Sequence, residues 1–213
     1  MDDLRVDREL MALVRAIVTG DSTEATRLLA ESPALATARF EVGASRHVEK
    51  SYYLEEIQRH IYAGDTALHI AAAAYWTELA GELLVRGANV HAKNRRGAEP
   101  LHAAVGGIPG SPSWNPPAQA ATIACLIESG ADPNAVDQSG VAPLHVAVRT
   151  RCAAAVGALL AAGADVQRKN RSGSTPIFLA THSTGRGGTG SAEAKAEQAE
   201  IVQLLQQYGA TPP

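Results

Sequence analysis

Three histidines, His69, His102 and His145, each follow a leucine and stand 33 and 43 residues apart. Such a row could be metal-binding or catalytic, but a lone imidazole in each segment is readily satisfied by local hydrogen bonds. The row therefore reads as structural. Gly185-Arg186-Gly187-Gly188-Thr189-Gly190 matches G-x-G-x-x-G. A dinucleotide site would need a strand before that run and an acid about 20 residues beyond it. A helical pattern precedes it instead, and position 210 is alanine. A weaker version keeps Arg186 and free backbone N–H groups for a phosphate or carboxylate; the plainer reading is a flexible connector. Cys125 and Cys152 lack metal-ligand spacing with each other or with His145. Cys125 reads as a small core hydrophobe, and Cys152 as an exposed turn residue with no general base nearby. No catalytic residue, metal ligand or cofactor is assigned.

The elements that must position these side chains announce themselves by repetition. Thr66-Ala67-Leu68-His69, Glu99-Pro100-Leu101-His102, Ala142-Pro143-Leu144-His145 and Thr175-Pro176-Ile177-Phe178 recur at spacings of 33, 43 and 33, each preceded by glycine (Gly64, Gly97, Gly140, Gly173). A second landmark follows in phase: Gly87-Ala88-Asn89, Gly130-Ala131-Asp132, Gly163-Ala164-Asp165 and Gly209-Ala210-Thr211. The first glycine permits positive φ at a turn tip. Thr or its substitute caps a short helix, and proline suits its first turn. The second glycine suits the end of a second helix. This 33-residue pattern resembles the ankyrin repeat. The resemblance covers about three quarters of the chain and implies an all-α solenoid whose units bury their apolar faces only by stacking.

Five units are expected, the first a degenerate cap, with three insertions. The cap spans 1–38, with Leu13, Ile17, Leu28 and Leu29 in register. An insertion or extended finger occupies 39–63. The units that follow are 64–96, 97–139 with an inserted loop at 106–117, 140–172, and 173–213 with a Gly-rich loop at 181–191. In the first insertion, His47 to Tyr62 holds three of the five tyrosines and two of the seven histidines. Tyr53, Leu54, Ile57 and Ile61 recur at helical spacing, so a docked helix, serving as a lid over one end of the groove, is expected there. Gly81 and Gly157 share a position in two second helices, which close packing against a neighbour would explain. Glu82 stands where leucine is usual.

Composition narrows the function. Aromatics are only 4% against 46% apolar residues, so the core must be aliphatic and alanine-rich. A net charge of -3 argues against a nucleic-acid binder. The longest apolar stretch, 153–163, is too short for a bilayer. Two cysteines and no signal-like start suggest the cytoplasm.

The ankyrin resemblance implies binding through fingertips and first helices. Carried over by position, the partner-facing residues are Tyr62 and Asp65; Arg95, Arg96 and Ala98; Gln138, Val141, Arg149 and Thr150; and Arg171, Ser174, His182 and Ser183. Four are arginines, suited to a carboxylate or phosphate. The expected function is non-catalytic binding of another protein, one with an acidic surface, by a monomer. The committed positions are Tyr62, Arg95, Arg96, Arg149, Arg171 and His182, with Trp114 on the inserted loop. The competing expectation is a small-ligand-binding protein or enzyme whose pocket is built from Tyr52, Tyr53, His60, Trp76, Trp114 and His182. Convergence of those six around a closed cavity would favour it.

Overall fold

In the computed structural model, residues 3–44, 50–182 and 192–211 are described. The described residues form ten α-helices and one two-stranded hairpin. The helices are α1 (Asp3–Thr19), α2 (Ser22–Glu31), α3 (Ala67–Ala73), α4 (Thr77–Val85), α5 (Pro100–Ala104), α6 (Pro116–Glu128), α7 (Pro143–Thr150), α8 (Ala153–Ala161), α9 (Pro176–Thr181) and α10 (Ala192–Gln207). They pack as consecutive pairs. The first helices of successive pairs stack on one another, α3 on α5 and α7 on α9. The second helices do likewise, α4 on α6, α6 on α8 and α8 on α10. The result is an all-α repeat solenoid.

Local chemistry explains each pair. In α1, Leu10, Leu13, Val14 and Ile17 fall on one face at helical spacing and are all buried. Gly20 ends α1 with a φ of 71°, and the Asp21 side chain caps α2 by accepting from Glu24 N at 2.9 Å. Later, Leu68, Leu101 and Leu144 enter a continuous apolar core with Ile123, Leu126, Leu159, Ile177 and Leu205. Leu28, Leu84, Ile127 and Leu204 pack against that core from half-buried positions. Small first-helix residues, such as Ala71, Ala72, Ala103 and Ala104, let neighbouring helices approach closely.

Three expectations are corrected. Tyr53 to His60 is not a helix. Tyr53–Leu54 (β1) pairs antiparallel with Arg59–His60 (β2), Tyr53 opposite His60 and Leu54 opposite Arg59. Its backbone is tied on both sides, Ile61 N donating to Tyr52 O and Ala44 N to Ile61 O, each at 2.8 Å. The hairpin buries Leu54 and Ile61 while leaving Tyr53 exposed. The Tyr and Ile content that mimicked a helical stripe also suits an extended, half-buried surface. Secondly, the inserted loop ends sooner than expected: Pro116 and Pro117 are the first turn of α6, capped by Asn115 accepting from Ala118 N. Prolines there lose no helical hydrogen bond. Thirdly, close packing does not explain Gly81 and Gly157. A methyl group at either would find its nearest neighbour at 3.9 Å (Cys125 Sγ) and 4.0 Å (Leu204 Cδ1). Glu82 is accommodated by pairing with Arg86 at 2.8 Å.

Candidate functional site

The fingers are built alike. At the tips Asn94, Asp137 and Asn170 each accept two backbone N–H groups: those of Arg96 and Ala98, of Ser139 and Val141, and of Ser172 and Ser174, at 2.7–3.2 Å. Gly97, Gly140 and Gly173 supply the positive φ these turns require. Successive fingers are then laced together. Arg95 N donates to Ala63 O at 2.7 Å, Gln138 N to Arg96 O at 3.0 Å, and Arg171 N to Ser139 O at 3.1 Å. Arg95, Arg96, Gln138 and Arg171 therefore stand on neighbouring tips, and all four are exposed.

The histidine row is structural, each imidazole satisfied by backbone groups. Nδ1 of His69, His102 and His145 accepts the backbone N–H of Thr66, Glu99 and Ala142, each at 3.2 Å. With Nδ1 accepting, Nε2 carries the proton and donates to the next finger: Ala98 O at 3.1 Å, Val141 O at 3.1 Å and Ser174 O at 3.2 Å. Burial pushes all three imidazoles below the usual histidine range, opposed at His69 first by the Asp65 carboxylate 3.8 Å away and at all three by these carbonyls. Among the described residues, no group of three or more His, Cys, Asp or Glu could hold a metal ion.

Tyr62 anchors the basic fingertip. Arg95 and Arg96 each hold their guanidinium carbon 5.1 Å from its ring centroid, and Arg96 Nη1 also donates to the Tyr62 hydroxyl at 3.0 Å. Among the described residues no carboxylate pairs with Arg95, Arg96 or Arg171. Arg149 is half-buried on α7 and already engaged by other groups. His182 is exposed just after α9, stacked on Phe178 with centroids 4.0 Å apart. Two positions implied by the resemblance do not face a partner. Asp65 is wholly buried, accepting from Tyr62 N and Asn94 Nδ2 at 2.8 Å each. Val141 is buried beside His102. Ser183 and the glycine run 185–190 lie outside the described residues.

Trp114 belongs to a different place. It lines a pocket of about 230 Å³ between the hairpin turn (Ile57, Gln58, Arg59) and the loop 106–114, over Ala73, Ala103 and Thr150 of the first helices. Of the six residues expected to build a ligand pocket, only Trp114 lines this one. Tyr53 instead stacks tilted on His60 at 4.8 Å, and Tyr52 faces α1 residues Arg8, Met11 and Arg15 across a separate groove.

Residues not singled out for the pocket complete it. Tyr75, with a φ of 57°, donates its hydroxyl to Gly106 O. Gln119 Nε2 donates to Ala104 O at 3.0 Å and to the Tyr75 hydroxyl at 3.4 Å. A methyl group on Gly107 would sit 2.7 Å from the Tyr75 hydroxyl and 3.0 Å from Cys152 Sγ, so the loop is sealed against the array. Tyr75 and Trp76 stand where ankyrin-like units usually have Gly-His between their helices, and that departure is the signal for Tyr75. Arg59 and Gln119 carried no such signal. Cys152, expected at an exposed turn, is fully buried behind Gln119 and Trp114, and burial pushes its thiol up. A buried thiol held protonated is a poor nucleophile. Cys125 is half-buried.

No helix among the described residues is long and apolar enough to cross a membrane. A search of curated proteins finds no match to the chain. Family models do match: "Ankyrin repeats (3 copies)" over residues 118–212 and "Ankyrin repeat" over residues 63–95. Ankyrin repeats are generally protein–protein interaction modules. With finger-to-finger lacing, the histidine ladder and these matches over more than half its length, the chain belongs to the ankyrin repeat family.

Proposed function

We propose that the chain is a non-catalytic monomeric module that grips the acidic surface of a protein partner with its fingers and the adjoining groove. The observation that carries this reading is the Tyr62 cluster. Two guanidinium groups are held over one ring without a carboxylate of their own among the described residues. Pre-organised arginines lose little freedom on meeting a partner. In this reading Arg171 on a neighbouring finger, Arg149 on α7 and His182 after α9 supply further contacts. Trp114, on the inserted loop, is a further contact of this reading. Acids interleaved with the arginines, and the net charge of -3, weigh against nucleic acid as the partner.

The test is a comparison of the unaltered chain with an R95E/R96E double variant. Each is used to recover partners from native lysate, and the affinity of the recovered protein is then measured at two salt concentrations. Charge-assisted bonds contribute roughly 1.5–3 kcal/mol each. Affinity is therefore expected to fall at least about tenfold, with a weaker salt dependence. Unchanged affinity and salt slope would move the binding site to the Trp114 side of the groove.

A further inference from the structure

Ile57, Ala73, Ile108 and the indole of Trp114 line one pocket between the hairpin turn and the 106–114 loop, and each keeps part of its surface open to solvent. Ile108 is 42% exposed, a large aliphatic side chain left on a surface loop. At about 230 Å³ the pocket is below the usual range for a nucleotide or a drug-sized molecule. An apolar cavity of about 150 Å³ already holds a benzene ring, so there is room here for one leucine or phenylalanine side chain. The polar atoms of the buried cluster behind the wall are out of a ligand's reach. Arg59 Nε, Trp114 Nε1 and Gln119 Oε1 have essentially no open surface. The Tyr75 hydroxyl is committed to Gly106 O, and the Thr150 hydroxyl donates to Val146 O at 3.0 Å. Gln58, Ser111 and Ser113 add polar but uncharged surface. Among the described residues no carboxylate lines the pocket. Glu55 and Glu56, next to Ile57 in the chain, line a separate groove with Met11 and Arg15 of α1.

We propose that this pocket takes an apolar side chain, leucine or phenylalanine, from an extended acidic segment of the protein partner. The proposal rests on the fingertip reading and names the group that the partner must carry beside its acids. Charge complementarity sets the sign of the segment. Arg59 is the one charged residue lining the pocket, partly balanced by Asp65 at 3.9 Å. The same stretch of chain leads to Tyr62, over which Arg95 and Arg96 hold their guanidinium groups. Three residues of chain span at most about 11 Å, so the pocket wall and the Tyr62 cluster are close neighbours. An extended peptide covers that distance in about three residues. Acids about three to five positions from the anchor therefore reach the fingertip arginines, whereas a basic segment would be repelled. An apolar side chain that fills a pocket, with charged contacts around it, is where binding energy concentrates. Ile57, Ile108 and Trp114 all come from insertions, so the pocket belongs to this chain rather than to stacked repeats in general.

The experiment is a ¹H–¹³C methyl NMR titration of the full chain that follows Ile57 and Ile108, each assigned by its loss in the Ile→Val variant. The probes are acetylated, amidated Gly/Ser peptides with one phenylalanine and two glutamates about three to five positions away on either side. Matched peptides carry alanine for the phenylalanine, or glutamine or lysine for the glutamates, and benzyl alcohol serves as a free apolar probe. Saturable ring-current shifts at both methyls are expected with the phenylalanine–glutamate peptides. Affinity should be at least about tenfold weaker with alanine and severalfold weaker with glutamine. Ile108→Lys spoils the apolar wall while adding a charge that attracts acids, so it should weaken binding at least about tenfold, read at Ile57. If that variant disturbs the remaining spectrum, Ile108→Ser is read instead, with a severalfold loss. The proposal is overturned by no saturable shift at either methyl, by equal affinity of the phenylalanine and alanine peptides, by unweakened binding in the Ile108 variants, or by benzyl alcohol binding as tightly as the peptide. Any of these, with R95E/R96E still weakening the acidic peptide, refutes the anchor and leaves the fingertip reading standing. Methyl shifts that ignore both R95E/R96E and the glutamine or lysine replacements refute the fingertip reading and, with it, the acidic segment proposed here.

Discussion

Glu197 reaches from α10 across to the preceding pair, where its Oε2 accepts the backbone N–H of Ala153 at 2.7 Å. Ala153 is the first residue of α8, and the residue before it, Cys152, makes no side-chain cap. A helix start leaves its first N–H groups unpaired and partially positive. A carboxylate from the next pair thus supplies the cap that the local sequence lacks, and couples two neighbouring pairs.

Removing that carboxylate should loosen the end of the array. Glu197→Ala is expected to cost about 0.5–2 kcal/mol, as for loss of a helix cap. Glu197→Gln keeps an acceptor oxygen and should cost less. Urea denaturation checks both; equal stability of all three proteins would show that the contact contributes nothing in solution.

Gly81 and Gly157 sit inside α4 and α8 with room for a methyl group at ordinary contact distance. Glycine in a helix interior is unfavourable by about 1 kcal/mol relative to alanine. Gly81→Ala and Gly157→Ala should therefore each raise the Tm, by up to the equivalent of that amount. A drop in Tm for either would mean that the helix–helix spacing there cannot take even one methyl.

The buried histidines set an acid limit on stability. Burial holds His69, His102 and His145 below the ordinary value of 6.5, so the unfolded chain binds protons that the folded chain refuses. Stability should be intact above about pH 6.5 and fall as pH drops from there toward the lower folded values. Each histidine contributes a slope of up to about 1.4 kcal/mol per pH unit within that window. His69→Gln should start less stable at neutral pH, having lost a satisfied hydrogen-bonding group, yet decline less steeply between about pH 6.5 and 5. Parallel decline in the variant would remove His69 from the acid response.

Much of the array was legible because its determinants are local and periodic. The glycine before each cap, the leucine–histidine pair and the second glycine are demanded by turn geometry and helix ends, whatever lies elsewhere in the chain. Stacking a helical repeat, as the ankyrin resemblance implies, then leaves few alternatives, and Leu68, Leu101 and Leu144, at one place in three units, all lie in the core. The insertions were different. Tyr53, Leu54, Ile57 and Ile61 satisfy a helical stripe and a hairpin equally well over so short a run, and the choice fell to long-range backbone pairing with Ala44. The groove-side pocket was legible only in Trp114, one of the six residues expected to line such a site. Arg59 and Gln119 carry no mark in the sequence, and only the docking of a hairpin and a loop onto the stacked first helices sets them near Tyr75 and Trp114. Sequence alone determined the repeating frame, because each unit carries its own turn and cap chemistry. Tertiary structure decided which side chains meet across that frame, because contacts between distant segments depend on how the insertions pack.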